Sequence, residues 1–283
     1  MEQQMLIDGK RYDLVKEQRS GLAVYTDGDT YLRLGEPERI ERNIATHRAM
    51  EAAGFPVAPL LKSGSYKEYA YFSEVSLGPK TFRILFEEDI VKQGAVSAER
   101  FDAFTDVVER YLLAQSRAVI VPDPVGFANG IHLEIIREEL PQYRFSLPDK
   151  FDRILQKLVT FPYVLSHGDF NPANLFPAGV IDLEDSFPAP FGFDAVSAIS
   201  TNEWFPTSSE YEFYSHYRFS DAQKTHYLAM CDRVSQAAGY PCISAHYDDF
   251  AFCRAVWSAV RMHAWPRLQA WRYEKFVKTF LFY

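Results

Sequence analysis

Residues 165–176, LSHGDFNPANLF, set His167, Asp169, Asn171 and Asn174 between apolar runs, and GVIDLEDS at 179–186 places Asp182 inside a second apolar run. Short apolar runs broken by turn residues read as strands, so these polar groups are held on a loop between strands. Asn171-Pro172 alone would be a turn and nothing more. Together with Asp182 the set suits a more specific task. Moving a phosphoryl group onto a hydroxyl needs a carboxylate to take the hydroxyl proton and oxygen ligands to hold Mg²⁺ on nucleotide phosphates. Mg²⁺ prefers carboxylate and amide oxygens and keeps several waters, so a few Asp and Asn residues suffice.

Composition narrows the alternatives. The chain has 283 residues, 47% hydrophobic and 24% charged, which is enough for a large core and close to the length at which single cores split into two lobes. A net charge of -8 gives no basic footprint for a phosphate backbone, so nucleic acid is excluded as a partner. No apolar run approaches a membrane span, and MEQQMLIDGKRYD lacks the basic start and apolar middle of a signal peptide, so the chain reads as cytoplasmic with no membrane partner. Cys231, Cys242 and Cys253 are spaced too widely for a metal clip and read as buried thiols.

The first third carries strand signals. Asp8-Gly9 and Asp27-Gly28 each sit between apolar or β-branched runs and predict hairpins. Ile40, Ile44, His47 and Met50 recur at helical spacing until Gly54 and Pro56. PVAPLLKSGSYKEYAYFSEVSLGP then predicts two more strands around a Ser-Gly-Ser turn, giving about five strands and one helix. From Ser97, a cap for a helix with an apolar stripe through Phe101, Phe104, Val108, Tyr111 and Leu112, the chain turns helical. Another amphipathic helix spans 150–161 and leads into the opening motif, and three more follow residue 200, the first between Ser220 and Gly239.

In protein kinases a loop that begins with His parts a base Asp from a metal-binding Asn by four residues, and a second metal-binding Asp follows on the next hairpin. His167, Asp169, Asn174 and Asp182 reproduce that order and spacing. With HGDFNPANLF, VIDLEDS and GFDAVSAI, the sequence closely resembles the aminoglycoside phosphotransferase and choline kinase family of small-molecule kinases, which has Gly where Gly168 stands and protein kinases usually carry Arg. The resemblance implies an α+β, two-lobed, protein-kinase-like fold: a small antiparallel β lobe with one helix, assigned to residues 1–75, and a mainly helical lobe, 76–283. It implies Asp169 as catalytic base, Asn174 and Asp182 as Mg²⁺ ligands, ATP or GTP as co-substrate, and Asp194 as a buried brace. The backbone carbonyl of Ser73 and amide of Val75 would meet the purine edge at the hinge.

Two departures from the family stand out. Its nucleotide lysine is replaced by Arg33, which keeps the charge but is longer and planar. Its partner glutamate would fall near Ile44, so Glu41, one turn earlier, is the expected partner of Arg33; Lys16 or Arg19 could also reach the phosphates. Glu184 reads equally as metal-associated or bracing, His167 as a structural loop histidine, and His246 and His263 as packing residues. NEWFPTSSEYEFY and HYDDFAFCRAVW combine acids with aromatics, which suits a cationic hydroxyl acceptor and equally a solvated surface beside a core. The expectation is a Mg²⁺-dependent kinase of a small-molecule hydroxyl, monomer or dimer. The rival is a nucleotide-binding regulator that has lost catalysis, motivated by Arg33 and the missing acid. A protein kinase is disfavoured by Gly168 and by the lack of an Ala-Pro-Glu-type segment.

Overall fold

A computed structural model describes residues 2–17, 21–139, 146–211, 213–261, 265–277 and 279. Arg19 and His263 lie outside the described residues. The chain opens with β1 (Gln4–Ile7), β2 (Lys10–Glu17), β3 (Ala23–Thr26) and β4 (Thr30–Gly35), then α1 (Pro37–Ala52), then β5 (Leu60–Tyr66) and β6 (Tyr69–Val75). All six strands form one sheet in the order β1-β2-β3-β4-β6-β5, with every pairing antiparallel. Both Asp-Gly hairpins form as expected. At the first, Asp8 and Gly9 both have positive φ, the geometry of the tight turn that matches strand twist.

The sheet has one strand more than the pattern predicts, and its last turn lies elsewhere. Ser63, Gly64 and Ser65 are inside β5, and the chain reverses at Lys67 and Glu68. Gly64 marks packing rather than a turn: a Cβ there would stand 2.9 Å from the Tyr71 hydroxyl oxygen, so the glycine lets the ring lie across the strand.

The rest is helical. α2 (Phe82–Gln93), which shows no clear apolar stripe in sequence, precedes α3 (Ala98–Gln115), and the side chain of Ser97 accepts from the Arg100 amide as its cap. After β7 (Val119–Ile120) come α4 (Pro124–Gly130), α5 (Leu133–Glu139) and α6 (Ser146–Leu158), the last beginning and ending earlier than the predicted 150–161. β8 (Tyr163–Ser166) enters the polar loop, β9 (Leu175–Phe176) and β10 (Gly179–Val180) form a short hairpin beyond it, and β11 (Phe187–Pro190) returns beside β8. α7 (Phe193–Ser200), α8 (Asp221–Ala237), α9 (Tyr247–Val260) and α10 (Pro266–Arg272) complete the lobe. α8 starts with a capping box between Ser220 and Gln223.

The sheet has an apolar core of its own, and the larger core of the helical lobe also takes in Met50, Phe55 and Val57 from the end of α1 and the loop after it. Tyr12, Tyr25, Leu32 and Tyr71 fill the sheet, while Phe86, Phe104, Phe170, Val196, Phe250 and their neighbours fill the helical lobe. They meet where the Val180 amide donates to the Pro56 carbonyl at 2.8 Å. A Cβ on Gly179 would stand 2.1 Å from that same carbonyl oxygen, so the close approach requires glycine.

Candidate active site

The loop after β8 is fixed from below by Asp194, at the start of α7. Its carboxylate accepts from the Ser166 hydroxyl (2.6 Å), the Gln115 amide (2.7 Å), the His167 backbone N–H (3.0 Å) and the Tyr111 hydroxyl (3.1 Å). A buried carboxylate with four donors is satisfied where it stands and orders the chain it grips. Burial first, and the Asp194 charge second, push the Tyr111 phenol well above its ordinary range, so it remains a donor. Gly168 follows with φ +78°, and a Cβ on it would stand 2.0 Å from the Asp185 carbonyl oxygen. This explains in local terms why no arginine can occupy that place. His167 is buried, and its Nε2 lies 2.8 Å from the Ile181 carbonyl oxygen, a structural role.

Asp169 stands clear of this packing, with its side chain 27% exposed. The Nδ2 group of Asn171 donates to its Oδ1 at 2.8 Å and that of Asn174 to its Oδ2 at 3.3 Å. A third donor escaped the sequence reading. Arg254 of α9 sends Nη2 to Asp169 Oδ1 (3.1 Å) and Nη1 to the Gly168 carbonyl (2.9 Å). The available signal was an arginine alone in the apolar run FAFCRAVW, because a buried guanidinium requires an anion nearby.

The backbones that carry Asn174 and Asp182 are joined, since the amide of Ile181, the residue before Asp182, donates to the Asn174 carbonyl at 3.0 Å. The Nδ2 group of Asn174 is committed to Asp169, at the backbone oxygen (2.9 Å) as well as the carboxylate, so its Oδ1 is the atom turned away from that bond. Asp182 has φ 69° and is followed by a short helical turn, so the predicted return strand is limited to β10. An amide oxygen and a carboxylate are donor types that fit Mg²⁺ carried on a nucleotide, and no group of three or more His, Cys, Asp or Glu suited to a metal occurs among the described residues.

Arg33, in β4, is buried and binds across the lobes: Nη1 lies 2.7 Å from Asp182 Oδ1 and Nε 3.1 Å from Glu74 Oε1. Its expected pairing with Glu41 is not formed. Glu41 is exposed, whereas Glu74 of β6 shares the buried sheet face with Arg33, so the partner acid comes from the neighbouring strand and not the helix. Burial would lower the Arg33 pKa, but Glu74 and Asp182 outweigh it and raise it. Burial would likewise raise the Asp182 carboxyl, but Arg33, then Lys16, hold it down at about 2. Lys16 of β2, half exposed, has its Nζ 3.8 Å from Asp182 Oδ2. Glu184 pairs with Arg39 of α1 at 2.7 Å, which makes it a brace between the lobes.

The hinge placement needs correction. The Val75 amide donates to the Pro59 carbonyl at 3.0 Å, and Ser73 lies mid-strand, opposite Leu32 on one side and Lys62 on the other. Neither backbone group is free for a purine. The first residues beyond the strand are Ser76, Leu77 and Gly78.

Beside Asp169 opens a cavity of about 320 Å³ between the loop and the late helices. Its walls are aromatic, with Trp204, Phe205, Phe213, Trp257 and Trp265 among them. Of the acids expected to draw a cation, Glu203 pairs with Lys224 and Asp249 with Lys157 at 3.0 Å, and neither lines the cavity; Glu212 lies outside the described residues.

Residues 127–226, which include Asp169, Asn174, Asp182 and Asp194, match the model of the phosphotransferase enzyme family. No curated protein matches the chain. Among solved structures, the chain resembles a Plasmodium vivax ethanolamine kinase, at 12% identity and TM-score 0.60 over 93% of this chain and 81% of that one. A putative aminoglycoside phosphotransferase from Ralstonia eutropha JMP134 gives 16% identity and TM-score 0.56 over 95% and 89%. A thermostable mutant of an aminoglycoside phosphotransferase, solved with AMP-PNP and hygromycin B, gives 13% and 0.55 over 95% and 92%. At such identities the likeness establishes the two-lobed kinase-like fold. No described helix is long and apolar enough to cross a membrane.

Proposed function

We propose that this protein is a small-molecule kinase that transfers the γ-phosphoryl group of ATP or GTP to a substrate hydroxyl. The observation that carries the reading is the Asp169 carboxylate, partly exposed at the cavity, held by Asn171, Asn174 and Arg254, and adjacent through Asn174 to Asp182. Asp169 orients the acceptor hydroxyl and takes its proton as the oxygen bonds to the γ-phosphorus and the bond to the nucleotide leaving oxygen breaks. Asn174 and Asp182 would hold Mg²⁺, which when bound neutralises charge on the β- and γ-phosphates. Arg33 fixes one oxygen of Asp182, and Lys16 adds a movable positive charge from the first sheet strands. The purine edge is assigned to the backbone of Leu77 in place of Ser73 and Val75, since the Ser76 amide already donates to the Asp29 carbonyl at 2.9 Å and the Gly78 amide to Ser76 Oγ at 3.3 Å.

The rival reading of a catalytically silent regulator rested on Arg33 and its missing acid. Glu74 supplies that acid, which removes the main reason for it. The test is nucleotide consumption with Mg²⁺ across a panel of alcohols, comparing wild type with Asp169→Asn. Acceptor-dependent turnover that is lost in a folded variant is expected, and equal turnover in both would overturn the role of Asp169.

A further inference from the structure

The cavity beside Asp169 has four arginines in its lining, Arg83, Arg254, Arg261 and Arg272, against Glu87 and Asp169 as its acids among the described residues. Three of the cations are neutralised. Arg83 pairs with Glu87 at 2.9 Å, Arg254 with Asp169 at 3.1 Å, and Arg261 grips both oxygens of Asp185 at 2.7 and 2.6 Å. Arg272 is different. It is 3% exposed, and its bonds within the described residues go to neutral carbonyls, from Nε to Trp204 (2.8 Å) and from Nη1 to Ser258 (2.5 Å). Burial, followed by repulsion from Arg254, lowers its pKa to about 9. Among the described residues no carboxylate pairs with this guanidinium, Asp169 attracting it only without a direct contact, and Nη2 is the edge that makes no bond to a described residue.

We propose, building on the kinase reading, that the acceptor is an alcohol with an apolar or aromatic body and one carboxylate, which Arg272 binds while the hydroxyl meets Asp169. One unneutralised cation matches one negative charge, which favours a carboxylate over a phosphate dianion. The ring walls match a planar or apolar body. A cationic acceptor would have to enter beside an unneutralised guanidinium, a repulsion that the cavity's described acids, already paired, do not relieve.

Three probes of one shape test the charge: para-hydroxymethylbenzoate, its methyl ester and para-aminomethylbenzyl alcohol. Wild-type kcat/KM should be roughly tenfold or more higher for the acid, as expected where a charged hydrogen bond is kept in one probe and lost in the others. In Arg272→Gln the ratio of acid to ester should fall to near one, mainly through KM. Preference of wild type for the ester or the amine, or no preference, overturns the proposal. If Arg272→Gln does not fold, the wild-type ratios decide. If no probe supports nucleotide consumption, calorimetric binding of the same probes decides this proposal, while the alcohol panel with Asp169→Asn decides the kinase reading separately. Tighter binding of the acid that weakens with salt supports it; equal or tighter binding of the amine, or no binding of any probe, overturns it.

Discussion

Arg254 holds Asp169 and the residue before it with one guanidinium: Nη2 is 3.1 Å from the Asp169 carboxylate and Nη1 2.9 Å from the Gly168 carbonyl oxygen. Its other face lies 3.8 Å from the Trp257 ring centroid. The fork is planar and the site is buried, so lysine cannot make both bonds and keep the stacking. Arg254→Lys should therefore lower kcat by roughly 10- to 100-fold while the nucleotide dissociation constant stays within about twofold, because what is lost is the aim of the base. Steady-state kinetics with parallel nucleotide titration check this. A large loss of nucleotide affinity with kcat intact would show that Arg254 serves the other site.

Arg33 bridges Glu74 and Asp182 in a buried network, whereas Glu41 is exposed. Glu74→Gln leaves the guanidinium with a single carboxylate and should destabilise the fold by about 3 kcal/mol, while Glu41→Gln should fall within about 0.5 kcal/mol of wild type. Urea unfolding of the two variants separates the partners. The reverse ranking would restore the helix acid as the partner.

Gly168 and Gly94 both have positive φ, but only Gly168 is confined: a Cβ would meet the Asp185 carbonyl oxygen at 2.0 Å, and at Gly94 it would meet nothing within 4 Å. Gly94→Ala should lose about 1 kcal/mol from backbone strain alone, and Gly168→Ala roughly 3 kcal/mol or more because the backbone must move as well. Denaturant midpoints measure both. Activity in Gly168→Ala should fall further than stability explains, since Asp169 is the next residue.

These contrasts mark what the sequence could carry. His167, Asp169, Asn174 and Asp182 were legible because a loop supplies them at fixed spacing, and the first hairpins were legible because Asp-Gly pairs dictate a turn geometry. Glu74, Arg254 and Arg272 were not, since each acts at a distance in the chain: Glu74 through strand pairing with β4, Arg254 and Arg272 through helix docking under the loop. The Ser-Gly-Ser segment misled because glycine serves close packing as well as turns, and only the position of Tyr71 distinguishes them. α2 was missed because its apolar residues face two directions, and its contacts, not its periodicity, hold it in place.

The Asp182 carboxyl also predicts an acid transition. Burial raises its pKa, but Arg33 and Lys16 dominate and hold it at about 2 in the folded protein, against an ordinary value of 3.8. The unfolded chain thus binds this proton more readily, and the group contributes stability above about pH 4 that is lost as pH falls toward 2. The shift corresponds to about 2 kcal/mol. Asp182→Asn lacks the titration, so its deficit in unfolding free energy should be full at pH 5 and shrink steadily below about pH 4. Urea unfolding at stepped pH measures the gap. A constant gap between the two proteins across that range would mean that Arg33 and Lys16 do not control this carboxylate. Because Asp182 stays ionised throughout the neutral range, any fall in turnover between pH 7 and 5 should be the same in kind for metal-saturated enzyme and must come from another group.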